Sequence, residues 1–275
     1  MSSCENVLQT LVKLPTEETT LCGRKDLLVP EVEVDIKQLL EAGAHFGHKT
    51  SRWHPKMAPF IFDVRGGSHI IDLAKTVEGL NEALNFLSQT VSEGKQVLFV
   101  GTKRQAQSII KKVAEDSGMP YVVERWLGGM LTNWSTINSR VKRLQDLENR
   151  MASGELASKF NKLEVQRFQE EIDELNRLYG GIKEMHQRPG AIFIVDIITE
   201  ANALREARKL TIPTVALVDT NADPSLVTYP VPCNDDAVKT IQLVADYVKQ
   251  AIDRGKTKIA VTNKKAEETE VVGNK

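Results

Sequence analysis

The stretch RWLGGMLTNW, from Arg125 to Trp134, combines two indole rings, a guanidinium and a Gly-Gly pair. Aromatic rings stack on unpaired bases, a guanidinium binds phosphate, and glycine keeps the backbone flexible, so these residue types together suit contact with RNA. They stand out in a chain whose aromatic content is only 5%. Tryptophan is also buried in most of its occurrences, so a packed turn anchored by Trp126 or Trp134 is the competing interpretation.

A second segment, residues 44–57 (AHFGHKTSRWHPKM), is rich in histidine and basic residues and carries a tryptophan. A loop of this composition can lie along phosphates while an aromatic ring stacks on a base. The predicted RNA contacts within it are Lys49, Arg52, Trp53, His54 and Lys56. The histidines also suggest a metal, but His45 and His48 lack the fixed partners that a zinc site needs. We therefore expect a loop that contacts RNA.

A third candidate lies where an apolar strand, residues 96–100, is followed by Gly101-Thr102-Lys103-Arg104 and then by a helix. The free N–H groups and the positive dipole end of such a helix attract anions. We expect Lys103 and Arg104 to contact phosphate there; the alternative is that both are solvated charges. A bound nucleotide is not indicated, because the turn lacks the glycine spacing of a P-loop and no G-x-G-x-x-G follows a strand.

Two aspartates, Asp196 and Asp219, each end a buried apolar strand. Doubly wound folds bind ligands at the carboxyl edge of their parallel strands. The two carboxylates are therefore candidates to share a divalent cation, with His45 as a third ligand from the histidine-bearing loop. The competing interpretation gives both aspartates capping and turn roles.

Strand and helix signals alternate on both sides of these segments. Predicted strands cover residues 60–62, 69–72, 96–100, 121–123, 191–196, 214–219 and 229–231, and predicted helices cover 36–42, 74–92, 105–116, 200–210 and 234–254. Continuous apolar strands are typical of a parallel sheet covered on both faces. The pattern predicts an α/β domain with a doubly wound, mainly parallel sheet.

Residues 135–182 follow a helical pattern instead. Apolar residues recur at spacings of three and four from Ile137 to Met151 and again from Val165 to Ile182, with a break at Ser153-Gly154. This predicts an antiparallel coiled-coil helical hairpin inserted into the α/β domain. The first helix is basic and the second acidic, so the two complement each other. Further candidates for RNA contact on the first helix are Arg140, Lys142 and Arg143.

Composition sets the frame for the whole chain. Its 275 residues carry a net charge of -1, so any nucleic-acid surface is local rather than general. The 3 widely spaced cysteines indicate a reducing compartment, and no apolar run reaches ~18 residues, so we expect a cytoplasmic protein. The predicted organisation is a flexible extension at 1–33, the α/β domain at 34–134 and 183–255, the hairpin at 135–182 and a disordered tail at 256–275.

Long blocks of the sequence are similar to one family. They are AGAHFGHKTSRWHPKMAPFIF, HIIDLAKT, VLFVGTKRQA, RWLGGMLTNW, LYGGIKEM and IPTVALVDTNADP. By these blocks the chain resembles the universal family of the second protein of the small ribosomal subunit, in its bacterial form. The N-terminal extension departs from the usual family pattern.

The resemblance implies a flavodoxin-like α/β domain with an inserted coiled-coil hairpin. It also implies a structural protein that has no catalytic activity and requires no cofactor. The expected place is the solvent side of the small subunit, where the protein contacts ribosomal RNA at the junction of head and body. There it would lie among neighbouring ribosomal proteins and help to anchor the large messenger-binding protein.

The leading hypothesis is RNA binding by a preformed scaffold. The residues assigned to it are Lys49, Arg52, Trp53, His54, Lys56, Lys103, Arg104, Arg125, Trp126, Trp134, Arg140, Lys142 and Arg143. One alternative is a nucleotide- or metal-binding α/β enzyme that uses the carboxyl edge of the sheet. Another is an adaptor whose hairpin docks a partner protein.

Overall fold

The computed structural model describes the backbone of residues 34–273 and the side chains of residues 34–259, apart from residue 157. The predicted extension at 1–33 lies outside the described residues. The helices are α1 Ile36–Ala42, α2 Leu73–Ser92, α3 Arg104–Asp116, α4 Trp134–Ala152, α5 Glu155–Lys159, α6 Lys162–Tyr179, α7 Ala201–Lys209 and α8 Val238–Gly273. The strands are β1 Phe46–Lys49, β2 Ile61–Arg65, β3 Ser68–Ile71, β4 Val97–Val100, β5 Tyr121–Val122, β6 Ala191–Val195, β7 Thr214–Val218 and β8 Tyr229–Pro232.

Five strands form a parallel sheet in the order β5-β4-β6-β7-β8. Numbered among themselves along the chain, these strands run 2-1-3-4-5, which is the flavodoxin-like order of a doubly wound fold. β4, β6 and β7 are buried along their whole length. β8 contains Pro230 and Pro232, which suit an edge strand because proline has no N–H to donate to a further neighbour. The predicted fold class is confirmed.

The alternating side chains of the central strands enter two cores, one on each face of the sheet. Phe99 and Phe193 pack with buried residues of α2, α3 and α8. Ile192 and Ile194 pack with buried residues of α4, α6 and α7. Helices therefore cover both faces, which is why the strands are apolar throughout.

Short-range signals place the helix ends. Asp35 and Asp72 cap α1 and α2 by accepting hydrogen bonds from backbone N–H groups two residues further on, at 2.8 and 3.0 Å. Asn161 and Glu164 form a capping box at the start of α6, as the sequence predicts. Gly43 ends α1 with a φ of 81°, a left-handed conformation that favours glycine.

The prediction that residues 44–57 are entirely loop is wrong. Their first part is β1, which pairs antiparallel with β3 in a second sheet of order β1-β3-β2, with Phe46 opposite Ile70. The sequence FGHK of β1 has no apolar alternation to mark it as a strand. β2 and β3 overlap the strands predicted at 60–62 and 69–72, and they pair antiparallel. This small sheet gives the histidine-bearing segment a fixed backbone.

The last helix also differs from prediction. α8 continues through Gly255, where the sequence predicts its end, and on to Gly273. A Cβ added at Gly255 would lie 2.7 Å from the carbonyl oxygen of Ser88 and 2.8 Å from Cβ of Val91, both on α2. This glycine therefore permits close packing of two helices, and it is not a helix stop.

The segment predicted as a helical hairpin contains α4 and α6, with the short helix α5 where the sequence predicts a polar turn. Nε of Arg143 lies 3.2 Å from Oε1 of Glu171, and the Asn176 side chain donates a hydrogen bond to Glu148 at 2.7 Å. An ion pair and a hydrogen bond therefore link α4 to α6. Buried residues of both helices join the core under the sheet, and the described residues form one compact unit. The antiparallel coiled-coil geometry stays a prediction. In the described part of the chain, no helix combines the length and the apolar character needed to cross a membrane.

Candidate nucleic-acid interface

The RWLGGMLTNW stretch folds around one carboxylate, that of Glu206 on α7. Oε1 of Glu206 accepts hydrogen bonds from the indole N–H of Trp126 at 3.0 Å and from the backbone N–H of Gly129 at 2.8 Å. Oε2 accepts from the backbone N–H groups of Leu131 and Thr132 at 3.0 and 3.1 Å, and from the Thr132 hydroxyl at 3.1 Å. One side chain thus fixes a glycine-rich loop, residues 124–133, which we call the Glu206 loop.

These bonds determine the charge of Glu206. Burial raises the pKa of its carboxyl, but the hydrogen bonds from Gly129, Trp126, Thr132 and Leu131 outweigh burial, and the pKa lies below the ordinary value of 4.5. Gly129 has a φ of 92°, which glycine adopts without steric strain. The Glu206 loop is therefore a hydrogen-bonded turn around a carboxylate whose charged form the fold favours.

Trp126 belongs to the interior of this turn. Its side chain is 7% exposed and lies in the same core cluster as Met130 and Leu131. A ring inside the core has no face to offer a base, so the burial of Trp126 favours the packed-turn interpretation. Its contact with RNA stays an untested prediction. Trp134, at the first position of α4, is half-buried.

Arg125, Gly128 and Asn133 are exposed on the Glu206 loop and make no contact with Glu206. The Arg125 side chain makes no hydrogen bond or ion pair with any other described residue. A Cβ added at Gly128 would have no atom within 4 Å, and its φ is outside the left-handed region. The loop therefore exposes the unpaired guanidinium of Arg125 and, three residues further on, backbone without a side chain at Gly128.

The predicted phosphate site at the turn before α3 is occupied by the protein's own carboxylates. The N–H of Thr102 donates to Oε1 of Glu200 at 2.9 Å. Nζ of Lys103 lies 2.7 Å from Asp235 and 2.7 Å from Asp236, and its side chain is only 15% exposed. The charge of Lys103 is thus neutralised within the fold, and its contact with phosphate stays an untested prediction.

Burial and charge act together around Lys103. Burial lowers the pKa of this amine, but its bonds to Asp235 and Asp236 and the nearby charge of Asp196 outweigh that effect, so the pKa is raised and the lysine stays charged. Burial, together with the charge of Asp196, raises the pKa of Asp235 to about 7. Several carboxylates share the Lys103 amine here, which forms a structural ion cluster. Arg104 is exposed and unpaired among the described residues.

The two metal candidates at the sheet edge have separate protein partners. Asp196 accepts hydrogen bonds from the Ile198 N–H at 2.9 Å and the Thr199 hydroxyl at 2.7 Å. Asp219 lies 3.0 Å from Nδ1 of His48, whose pKa is raised chiefly by that hydrogen bond. The histidine beside Asp219 is therefore not the predicted His45.

His45 instead has its ring 4.0 Å from that of Phe46. Among the described residues, no group of three or more His, Cys, Asp or Glu side chains is placed to hold a metal ion. The side chains predicted to share a cation thus have other neighbours, and the capping and turn interpretation accounts for the hydrogen bonds of Asp196.

A cavity of about 420 Å³ opens beside His48 and Asp219. Lys49 and Arg52 line it, and both are exposed and have no polar side-chain partner in the described part of the chain. Asp236 also lines it, so the wall carries both signs of charge. The structure thus brings two predicted RNA contacts together at the mouth of one cavity.

The other predicted contacts of this segment have different surroundings. Trp53 is 40% exposed, with its ring 5.3 Å from that of His69. His54 accepts a hydrogen bond from the Lys56 N–H, which caps the following turn. Nζ of Lys56 lies 2.7 Å from Asp223, yet the side chain is 56% exposed, so solvent still reaches its charge.

On α4, the predicted basic residues divide into two kinds. Arg140 and Lys142 are exposed and have no polar side-chain partner among the described residues. Arg143 forms an ion pair with Glu171 on α6. The exposed and unpaired members of the predicted set are therefore Lys49, Arg52, Arg104, Arg125, Arg140 and Lys142.

Sequence reasoning missed the two glutamates that organise these loops, Glu200 and Glu206. Both belong to the α7 region, with Glu200 at the N-cap position and 1% exposed. Their sequence signal is weak, because acidic residues at the start and on the surface of a helix are common. Only their long-range bonds to Thr102 and to the Glu206 loop reveal their roles.

Comparison with known proteins gives a consistent result. Residues 39–255 match the model of the family described as Ribosomal protein S2. The chain is 51% identical over 225 residues to small ribosomal subunit protein uS2 of Roseiflexus sp. strain RS-1, covering 82% of this chain and 86% of that protein. It is 46% identical over 238 residues to the protein of that name from Fusobacterium nucleatum, covering 86% and 96% of the two chains. The chain therefore belongs to the Ribosomal protein S2 family.

Proposed function

We propose that this protein is a structural constituent of the small ribosomal subunit and binds its ribosomal RNA. Family membership supports the structural, non-enzymatic role. The observation that carries RNA binding is the division of its cations. Lys103 is neutralised by carboxylates of the fold, whereas a set of exposed cations has no partner among the described residues. Unpaired exposed cations bind phosphates and release counterions, which gives affinity without reading sequence.

The exposed cations lie on several elements. Lys49 and Arg52 are at the cavity mouth, Arg104 starts α3, Arg125 is on the Glu206 loop and Arg140 is on α4. The backbone around each is held by the sheet, by a helix or by Glu206. A preformed scaffold of this kind positions its cations before RNA arrives, so little ordering entropy is lost on binding.

The finer placement follows from the family resemblance. We propose that the protein works in the cytoplasm at the junction of head and body of the small subunit, next to neighbouring ribosomal proteins. The α4 to α6 segment, with its basic and acidic helices, is the proposed site for anchoring the large messenger-binding protein. No cofactor is required in this role.

Sedimentation of a tagged copy from cells in sucrose gradients tests the proposal. The expected result is co-migration with small subunits at moderate salt and release as salt rises, because phosphate contacts weaken with ionic strength. A wild-type protein that stays at the top of the gradient at moderate salt contradicts the proposal.

A matched pair of variants sharpens this test. Replacing Lys49 and Arg52 by Gln removes two proposed phosphate contacts, and the slope of log K against log salt should fall by about two. Replacing Arg208 and Lys209 by Gln removes the same charge from exposed residues at the end of α7, outside the proposed set. Equal slopes for the two variants would show that only net charge matters.

A further inference from the structure

We propose that the outer ridge of the Glu206 loop, formed by Arg125 and Gly128, is a contact for the phosphate backbone of RNA, and that Glu206 is the residue that positions it. The inference rests on the proposed function. It adds a specific contact to that function, and it assigns a role to a residue that does not itself touch RNA.

Gly128 carries the first step. Every other glycine from Gly43 to Gly255 either has a left-handed φ or would place a Cβ within 4 Å of neighbouring atoms. Gly128 has neither feature, so the fold of the described residues makes no demand for glycine at this position. On an exposed loop, the absence of a side chain allows another molecule to approach the backbone closely. A partner molecule that approaches the loop backbone would therefore explain why residue 128 is a glycine.

The chemistry of the ridge indicates the partner. Arg125 is exposed and unpaired among the described residues, and a guanidinium binds phosphate with two parallel hydrogen bonds. The large apolar residues Trp126, Met130 and Leu131 point into the core, so the exposed side lacks the apolar centre typical of a protein-binding patch. The Arg125 guanidinium can bind a phosphate, and the absence of a side chain at Gly128 lets the sugar-phosphate chain approach the loop. Glu124 is also exposed on this loop, and its negative charge opposes such binding.

Glu206 supplies the positioning. Its carboxylate takes up the N–H groups of Gly129, Leu131 and Thr132 and the indole N–H of Trp126 from the inner side of the loop. Those donors are therefore not available to RNA, and the outer ridge is left to make the contact. Without the carboxylate the loop would lose its internal anchor, and Arg125 and Gly128 would no longer keep a fixed spacing.

The test measures binding of the full chain to full-length small-subunit ribosomal RNA at 50 to 200 mM KCl. Gly128→Leu places a bulky side chain on the ridge and should weaken binding roughly tenfold or more, which is about 1.4 kcal/mol. The melting temperature should stay at the wild-type value, because nothing in the described chain occupies that space. Ala152→Leu adds a bulky side chain to another small exposed residue, at the end of α4, and should leave binding unchanged.

Three further single variants and one double variant separate positioning from simple stabilisation. Arg125→Gln should lower the salt slope by about one, and Glu124→Gln should leave the slope unchanged and not weaken binding. Glu206→Gln, assayed well below its melting temperature, should weaken binding, and adding Arg125→Gln to it should produce less further loss than in the wild type. If Glu206 only stabilised the domain, its variant would bind normally while folded.

Each outcome decides one question. A wild-type chain that does not bind the RNA overturns the proposed function. Wild-type binding together with normal binding by Gly128→Leu overturns this inference alone. Normal RNA binding by Gly128→Leu with loss of incorporation into small subunits would assign the ridge to a protein partner, and it would also overturn the inference.

Discussion

Glu206→Gln keeps the shape of the side chain but replaces an accepting oxygen by an NH2 group. In one orientation of the amide, NH2 faces the N–H groups of Trp126 and Gly129; in the other, it faces the donors of Leu131 and Thr132. One unpaired buried donor costs ~1–3 kcal/mol, so two cost roughly 2–6 kcal/mol. Because Glu206 is only half-buried, we expect roughly 2–4 kcal/mol, since water can replace part of the loss.

Thermal and urea unfolding of the full chain at pH 7 measures this effect. The expected loss corresponds to a drop of about 4–16 °C in melting temperature for a domain of this size. Glu124→Gln makes the same chemical change at an exposed position on the same loop, and it should alter stability by less than ~0.5 kcal/mol. A Glu206→Gln variant with the melting temperature of the wild type would refute the conclusion that the Glu206 carboxylate stabilises the loop.

The pH dependence provides a second check with a definite sign. The pKa of Glu206 is lowered in the folded protein, so its charged form contributes stability that is fully present above the ordinary value of 4.5. That stability is lost as pH falls through the lowered pKa of the folded state. The difference between wild type and Glu206→Gln should therefore be constant from pH 6 to 8 and shrink in acid. A difference that grows in acid would contradict the assignment.

Three other predictions follow from the packing and the charges. Gly255→Ala should destabilise the protein by about 1–3 kcal/mol in urea unfolding, because its Cβ would collide with α2, whereas Asp253→Ala on an exposed turn of α8 should be near neutral. A double-mutant cycle on Arg143 and Glu171 should give a coupling of only ~0.2–1 kcal/mol that decreases with salt, since both side chains are partly exposed. A zero or unfavourable coupling at low salt would contradict the pairing. The raised pKa of His48 means that its charged form stabilises the fold below pH 6.5 and that this stability is lost as pH rises through the folded pKa. His48→Gln should therefore destabilise more at pH 6 than at pH 9, and equal losses would refute its bond to the buried aspartate.

The α7 region explains why backbone donors at two of the predicted contact segments are already occupied. Glycine turns, free N–H groups and helix starts attract any acceptor anion, and a side-chain carboxylate satisfies them as well as a phosphate does. Glu200 fills this role for Thr102, and Glu206 fills it for the RWLGGMLTNW stretch. The sequence identifies such donor-rich turns, but it does not reveal whether the anion comes from within the chain.

Local patterns along the chain are sufficient to predict the fold class. Apolar runs such as residues 191–195 mark buried parallel strands, and Asp35, Asp72 and Asn161 mark helix starts, because burial patterns and caps act over a few neighbouring residues. The same local rules do not detect β1, whose pairing with β3 rather than its own composition makes it a strand.

Which side chains remain available to a partner depends on contacts between distant parts of the chain. Lys103 meets Asp235 from 132 residues away, and Trp126 meets Glu206 from 80 residues away. Gly255 is required by a contact with α2 rather than by the end of its own helix. Whether a cation, a ring or a glycine serves the core or a partner depends on these long-range contacts, because burial and pairing are properties of the assembled chain.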